Sequence, residues 1–197
     1  MRYEENIKEV AAIGLDYMGF IFFEGSSRNV TASIPTLPST QKSVGVFVNA
    51  SFNTIVEKIN TYNLQAVQLH GEETPEFCKS LQELNTTVIK VFSIKNEFNF
   101  DELAPYESVC DFYLFDTKGL LSGGNGFCFE WSVLDKYPSS KPYFLSGGIG
   151  IKDLNQLQDF KKSTAATYCY AVDVNSKFEL APAKKDKKSL EKFKQLL

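Results

Sequence analysis

The sequence predicts an α/β fold, an eight-fold (β/α) barrel whose first β-strand is missing from the residues given. Three observations predict it. Short apolar runs recur along the chain, each followed by polar punctuation and a helix-like stretch. The runs are rich in Val, Ile, Phe and Tyr and do not alternate cleanly, the pattern of strands covered on both faces in a parallel sheet. The chain opens on a helix with no strand ahead of it, and strand-then-helix alternation builds right-handed βαβ units. A TIM (β/α)8 barrel typically runs ~250 residues, with ~200 near its floor. At 197 residues the chain sits at that floor and is expected to form one domain over 1–197, starting at helix 1. The rival architecture, an open doubly wound sheet, calls for a glycine-rich turn after an early strand. None is evident here.

In order, the first helix spans Glu4 to Ile13, with Ile7, Val10 and Ala11 on one face. The expected strands are Met18–Phe23, Ser43–Val48, Gln65–Leu69, Thr87–Phe92, Phe112–Asp116, Pro142–Ser146 and Tyr168–Asp173. Between them, Ser51–Tyr62 carries Phe52, Ile55, Val56 and Ile59 at helical spacing. Thr74–Leu84 opens on a cap and a first-turn proline. Ile151–Phe160 and Ser189–Leu197 repeat the helical spacing. Residues 97–106 and 129–137 are weaker helical segments, and Pro35 and Pro38 argue against a helix over Val30–Ser39.

Composition narrows the function. The net charge is −3 and the isoelectric point about 5.3, which argues against nucleic acid as a partner. There is no apolar run of ~18 residues to span a membrane. The charged start, MRYEENIKEV, has no apolar signal core, so the expected location is cytoplasmic. Cys78, Cys110, Cys128 and Cys169 form no CxxC pair, and His70 is the single histidine. Neither a zinc site nor a disulfide framework is expected from that set.

Function in such barrels gathers at the carboxyl ends of the strands. Asp116 ends the strand Phe-Tyr-Leu-Phe-Asp. A partly desolvated carboxylate there suits a general acid, the alternative being a cap or an ion pair with Lys118. Arg28 follows a Gly-Ser-Ser loop and suits bidentate capture of a carboxylate, unless it is a solvated surface arginine. His70, at the third strand end, either joins the site or packs over the barrel mouth. Gly147-Gly148 leaves backbone N–H groups open to an oxyanion, and Asn175-Ser176 adds donors from the next strand end. A phosphate site on the last two barrel loops is recurrent in this architecture. Gly123–Gly126 reads as a flexible flap, and the Lys184–Lys188 run as a solvated face.

These residues resemble one family closely, the phosphoribosylanthranilate isomerases of tryptophan biosynthesis. The resemblance rests on Met18-Gly-Phe-Ile-Phe22 with Ser27-Arg28, Val44-Gly-Val-Phe-Val-Asn49 and Val67-Gln-Leu-His-Gly71. It continues through Leu114-Phe-Asp116, Gly123-Gly-Asn-Gly126 with Phe129 and Trp131, and Leu145-Ser-Gly-Gly-Ile149. Val172-Asp-Val-Asn-Ser176 and Pro182-Ala-Lys-Lys-Asp186 complete it. The resemblance implies a barrel that catalyses an Amadori rearrangement of N-(5′-phosphoribosyl)anthranilate, a small-molecule substrate, without metal or cofactor. It implies Asp116 as the general acid and Arg28 as the ligand of the anthranilate carboxylate. Gly147, Gly148, Asp173, Asn175 and Ser176 would frame the phosphate.

There are departures. Asn175 stands where a serine is usual, and Gly150 where an asparagine is common. The resemblance also assigns the general base to a cysteine in a Lys-x-Cys-Gly-Met-like first strand, and Met1-Arg2 looks like the residues just after it. The residues as given are therefore expected to be inactive or nearly so, since losing a positioned base costs ~10²–10⁴ in rate. Two unpaired sheet edges are expected to invite self-association. A non-catalytic phosphosugar-binding barrel of the same descent, or another phosphate-binding barrel of histidine or tryptophan synthesis, are the alternatives.

Overall fold

The computed structural model describes residues 1–95, 97–117 and 129–197. Lys118, the Gly123–Gly126 flap and Cys128 therefore lie outside the described residues.

Helix α1 (Glu4–Ala11) begins with Glu4 and Glu5 and ends near Lys8, charges that complement the helix dipole. It buries Ile7, Val10 and Ala11 as its spacing predicts. Strand β1 (Tyr17–Ile21) follows, then β2 (Lys42–Phe47). Helix α2 (Phe52–Tyr62) is capped by Ser51, whose hydroxyl accepts from Thr54 N–H at 3.1 Å, and is closed by Asn63 in the left-handed region. Strand β3 (Ala66–Leu69) leads to α3 (Pro75–Gln82), with Thr74 as cap and Pro75 in the first turn. Strands β4 (Thr87–Ile94), β5 (Phe112–Thr117), β6 (Tyr143–Leu145) and β7 (Cys169–Val172) complete the main sheet. The weaker helical segments are 3₁₀ turns at Phe100–Tyr106 and Trp131–Lys136. Pro105 within the first denies it a helical N–H. Helix α4 (Leu154–Phe160) is preceded by a short 3₁₀ turn, and α5 (Lys187–Leu196) starts two residues before its apolar spacing because Asp186 caps it.

The seven strands lie parallel in sequence order, β1 to β7. Both faces are covered. Phe20, Phe47, Leu69, Tyr113, Phe115, Tyr143 and Leu145 belong to the main core with the helices. Val44, Ala66, Ile89, Val91, Leu114 and Phe144 form a second cluster with Tyr17, Phe112 and Ala171, contributed by strands from β1 to β7. The sheet is strongly curled. Laid flat, its edge strands would stand roughly 29 Å apart at ~4.8 Å per step. Instead Tyr17 of β1 and Tyr170 of β7 bring their hydroxyls to 3.3 Å. No ladder joins β1 to β7 among the described residues. The Met1 backbone nitrogen donates to the Gly19 carbonyl at 3.1 Å on the β1 side of this seam.

Beyond β7 an antiparallel hairpin, β8 (Glu179–Ala181) and β9 (Lys184–Lys185), leads into α5. Asn6 of α1 clasps it. Its amide donates to Lys185 O at 2.9 Å and accepts from Lys185 N–H at 2.7 Å. Among the described residues, no helix is long and apolar enough to cross a membrane.

Candidate active site

Register places three polar side chains side by side at the carboxyl end of the sheet. Phe115 pairs with Leu145, and Leu145 with Val172. Asp116, Ser146 and Asp173 therefore come next on three neighbouring strands. Backbone bonds extend the ladder to them, Ser146 N–H to Phe115 O at 2.9 Å and Asp173 N–H to Leu145 O at 2.8 Å. Asp116 Oδ2 lies 3.3 Å from His70 Nε2, and its Oδ1 accepts from Thr117 N–H at 3.0 Å. The Asp116 side chain is about a quarter exposed, so it is reachable from solvent. The Ser146 hydroxyl donates to Asp173 Oδ2 at 3.0 Å. Burial pushes the Asp173 carboxyl up from its ordinary value, and the charge of Asp116 adds to that push.

The glycine turn shares this rim. Gly147 and Gly148 both have positive φ, 103° and 75°. Thr117, next to Asp116, donates its hydroxyl to Gly147 O at 3.2 Å and accepts from Phe129 N–H at 3.0 Å. A Cβ at Gly147 would fall 2.7 Å from Thr117 N and collide with the Thr117 hydroxyl, so the close approach requires glycine. On the next loop, Asn175 turns its carbonyl and side-chain oxygens toward the Lys185 ammonium, the former at 2.9 Å. That leaves the amide NH₂ as the group Asn175 can offer to a ligand. Ser176 opens a short 3₁₀ turn to Phe178.

The turn after His70 is anchored by a buried ion pair. Lys90 and Glu73 meet at 3.0 Å, each side chain about 3% exposed. Glu73 also accepts from Asn49 N–H at 2.9 Å and Gly71 N–H at 3.0 Å, while Lys90 donates to Gly71 O at 2.7 Å. The turn after His70 is thus fixed on both of its backbone groups.

Arg28 is not a solvated surface arginine. Its Nε lies 3.0 Å from both carboxylate oxygens of Glu179, and its Nη2 lies 2.7 Å from Oε2. Lys185 Nζ joins the same carboxylate at 3.0 Å. Burial alone would push the Glu179 carboxyl up, but its hydrogen bonds to Arg28 and the Lys185 charge hold it below its ordinary value. Sequence reasoning missed Glu179 and Lys185. The Lys184–Lys188 run, expected as a solvated face, divides: Lys184 is exposed and Lys185 is buried. On the β9 edge successive residues point to opposite sides, so a run of like residues does not share one environment.

The described cysteines stand apart from this rim chemistry. Burial pushes the thiols of Cys78 and Cys169 up to about 11 and that of Cys110 up to about 12. None is a ready thiolate at neutral pH. No group of three His, Cys, Asp or Glu side chains suited to a metal ion occurs among the described residues.

Fold and rim together define an enzyme of the curled parallel α/β class, with its acidic group at the end of β5 and paired glycines at the end of β6. Comparison with known proteins gives the family. The chain matches the N-(5′phosphoribosyl)anthranilate (PRA) isomerase family over residues 1–196 and belongs to it. The N-(5′-phosphoribosyl)anthranilate isomerase of Phocaeicola vulgatus is 42% identical over 193 residues, covering 98% of this chain and 92% of that protein. The phosphoribosyl anthranilate isomerase structure from Thermotoga maritima is 30% identical with a TM-score of 0.83, covering 100% of this chain and 94% of that one. A phosphoribosyl anthranilate isomerase in complex with reduced 1-(o-carboxyphenylamino)-1-deoxyribulose 5-phosphate is 29% identical, with a TM-score of 0.78 over 98% and 92% of the two chains. These comparisons lend no support to an inactive chain or a non-catalytic binding barrel.

Proposed function

We propose that this protein converts N-(5′-phosphoribosyl)anthranilate to 1-(2-carboxyphenylamino)-1-deoxyribulose 5-phosphate, an Amadori rearrangement in tryptophan biosynthesis. Asp116 is the general acid. It protonates the furanose ring oxygen as the bond from that oxygen to the anomeric carbon breaks, and the aniline nitrogen pair forms the Schiff base. A general base then takes the proton from the neighbouring carbon to give the enolamine, which tautomerises to the ketone, and the proton held by the base makes good the one Asp116 gave up. Atoms and electrons balance within the one substrate, so the reaction calls for no cofactor. His70 orients the Asp116 carboxyl and lines the sugar subsite. Gly147, Gly148, Asp173, Asn175 and Ser176 frame the phosphate, with the Gly147–Gly148 N–H groups as oxyanion donors. Arg28 holds the anthranilate carboxylate.

The observation that supports this reading most directly is the placement of Asp116 one residue from Thr117, whose hydroxyl bonds the Gly147 turn. On this reading the proton donor and the anion cradle share one rim. The same reading takes residues 1–197 as a single domain and the curled sheet as part of a TIM (β/α)8 barrel, with the seam between β1 and β7 as the place of one further strand. Exposed edges at that seam favour self-association, and a biosynthetic enzyme of this kind works in the cytoplasm.

The test is complementation of a tryptophan auxotroph lacking the isomerase, together with calorimetric titration of the purified chain with the reduced product analogue. Growth with saturable binding is the expected result. Failure of the folded chain to bind the analogue overturns the assignment.

A further inference from the structure

We propose that Glu179 and Lys185 are positioning residues. They set the angle at which Arg28 meets the substrate carboxylate, and they tie that subsite to the phosphate loop. The inference rests on the isomerase reading above and adds two residues to it.

A guanidinium has two edges that can take a carboxylate, one formed by Nε and Nη2 and the other by Nη1 and Nη2. Glu179 occupies the first edge completely, at 3.0, 3.0 and 2.7 Å. The planar fork is thereby locked, and its second edge has no acceptor among the described residues. An arginine fixed along one edge presents the other with little rotamer entropy left to lose. The arginine side chain is 16% exposed and the glutamate 5%, so the pair is shielded and the arginine is the more accessible member.

Charge explains why a third member is needed. Arg28 and Glu179 alone cancel, and a neutral pair attracts an anion weakly. Lys185, at 3.0 Å from Glu179, restores a net positive charge to the cluster. It also holds both oxygens of Asn175. One buried carboxylate thus ties the loop after β1 to the β8–β9 hairpin, and one buried ammonium passes the connection on to Asn175 in the loop after β7. Without Glu179 the two cations would face each other unshielded, and the fork would be free to turn.

The test uses the intact chain and three probes: the reduced product analogue, its dephosphorylated form, and inorganic phosphate. Glu179→Gln is expected to weaken both anthranilate-bearing probes ~10–100-fold, the scale of a misplaced binding group, and to change phosphate affinity less than about 3-fold. Arg28→Ala is expected to show the same pattern, and Arg28→Ala combined with Glu179→Gln to be no weaker than Arg28→Ala alone, because Glu179 acts through Arg28. Lys185→Met is expected to weaken all three probes.

Thermal midpoints are measured alongside. If Glu179→Gln does not fold, Glu179→Gln with Lys185→Gln removes one charge of each sign and is expected to keep the loss on the anthranilate-bearing probes. Unchanged analogue affinity in either folded variant, or simple addition of the Arg28 and Glu179 losses, overturns the proposal. Failure of the parent chain to bind the analogue overturns the isomerase reading instead.

Discussion

Alanine at position 147 tests the geometry of the rim most sharply. The residue sits at φ 103°, a region that costs an L side chain ~1–3 kcal/mol. Its Cβ would also lie 2.7 Å from Thr117 N and 2.9 Å from Thr117 Cβ, and would occupy the place of the Thr117 hydroxyl. The backbone nitrogen belongs to β5 and cannot rotate away. Displacing the hydroxyl forfeits its bonds to Gly147 O and from Phe129 N–H, each worth ~1 kcal/mol. The sum is about 3–5 kcal/mol, which for a chain of this size lowers the melting midpoint by roughly 10 °C. Gly150→Ala is the control. Its φ of −143° suits any residue, and its added Cβ lies 3.0 Å from Lys177 Cβ, 3.3 Å from Lys177 Cγ and 3.7 Å from Asp153 Oδ2, contacts that a shift of a few tenths of an ångström relieves. Gly150→Ala is expected within about 1 kcal/mol of the parent. Denaturant titration gives the stabilities, and calorimetry with inorganic phosphate gives the anion affinity, expected to fall more than ~10-fold in Gly147→Ala if the turn N–H groups are displaced. If Gly147→Ala is as stable as Gly150→Ala and binds phosphate as well as the parent, the turn does not cradle an anion.

Other outcomes follow from the same contacts. Asp116→Asn keeps the shape but removes the transferable proton, so turnover is expected to fall ~10²–10⁴-fold while analogue affinity changes far less; steady-state fluorescence assays and titration separate the two. Lys90→Met leaves Glu73 charged and buried, a loss of ~3–5 kcal/mol, and adding Glu73→Gln is expected to recover part of it in urea titrations. The acid dependence of stability has two opposing parts. Glu179, held below its ordinary 4.5, contributes stability that is present above pH 4.5 and lost as pH falls through its depressed value. The advantage of the parent over Glu179→Gln should therefore shrink on acidification. Asp173 is raised by burial, so its contribution is present below its ordinary 3.8 and lost as pH rises through its raised value. Asp173→Asn should gain on the parent as pH rises from 3 to 7, read from urea midpoints across that range.

The strands were legible because each is a short apolar run, and burial on both faces explains why they do not alternate. Their ends were less so. Pro142 and Ser146 flank β6, Tyr168 falls in a 3₁₀ turn ahead of β7, and β1 stops at Ile21, where hydrogen bonding and not apolar character decides the boundary. Asp116, Ser146 and Asp173 were findable because a polar residue at the end of an apolar strand must lie at the rim. Glu179 and Lys185 were not. A buried ion pair is a property of two distant segments brought together, and a lysine that pairs in the interior looks in sequence like its exposed neighbour Lys184. The edge of Arg28 that Glu179 takes was equally hidden, since no local pattern states which edge a guanidinium gives away.

The last helix reaches further into the chemistry than its position suggests. Lys194 of α5 donates to the carbonyls of Ile13 and Gly14 at 2.8 and 2.7 Å, and Asn6 grips Lys185 just ahead of it. An exopeptidase nibbling inward from Leu197 would first loosen these fastenings, then the hairpin, and with it the ammonium that steadies the rim. Tags or fusions at the carboxyl terminus should accordingly be joined through a pliant spacer, because tension there is felt at the mouth of the sheet.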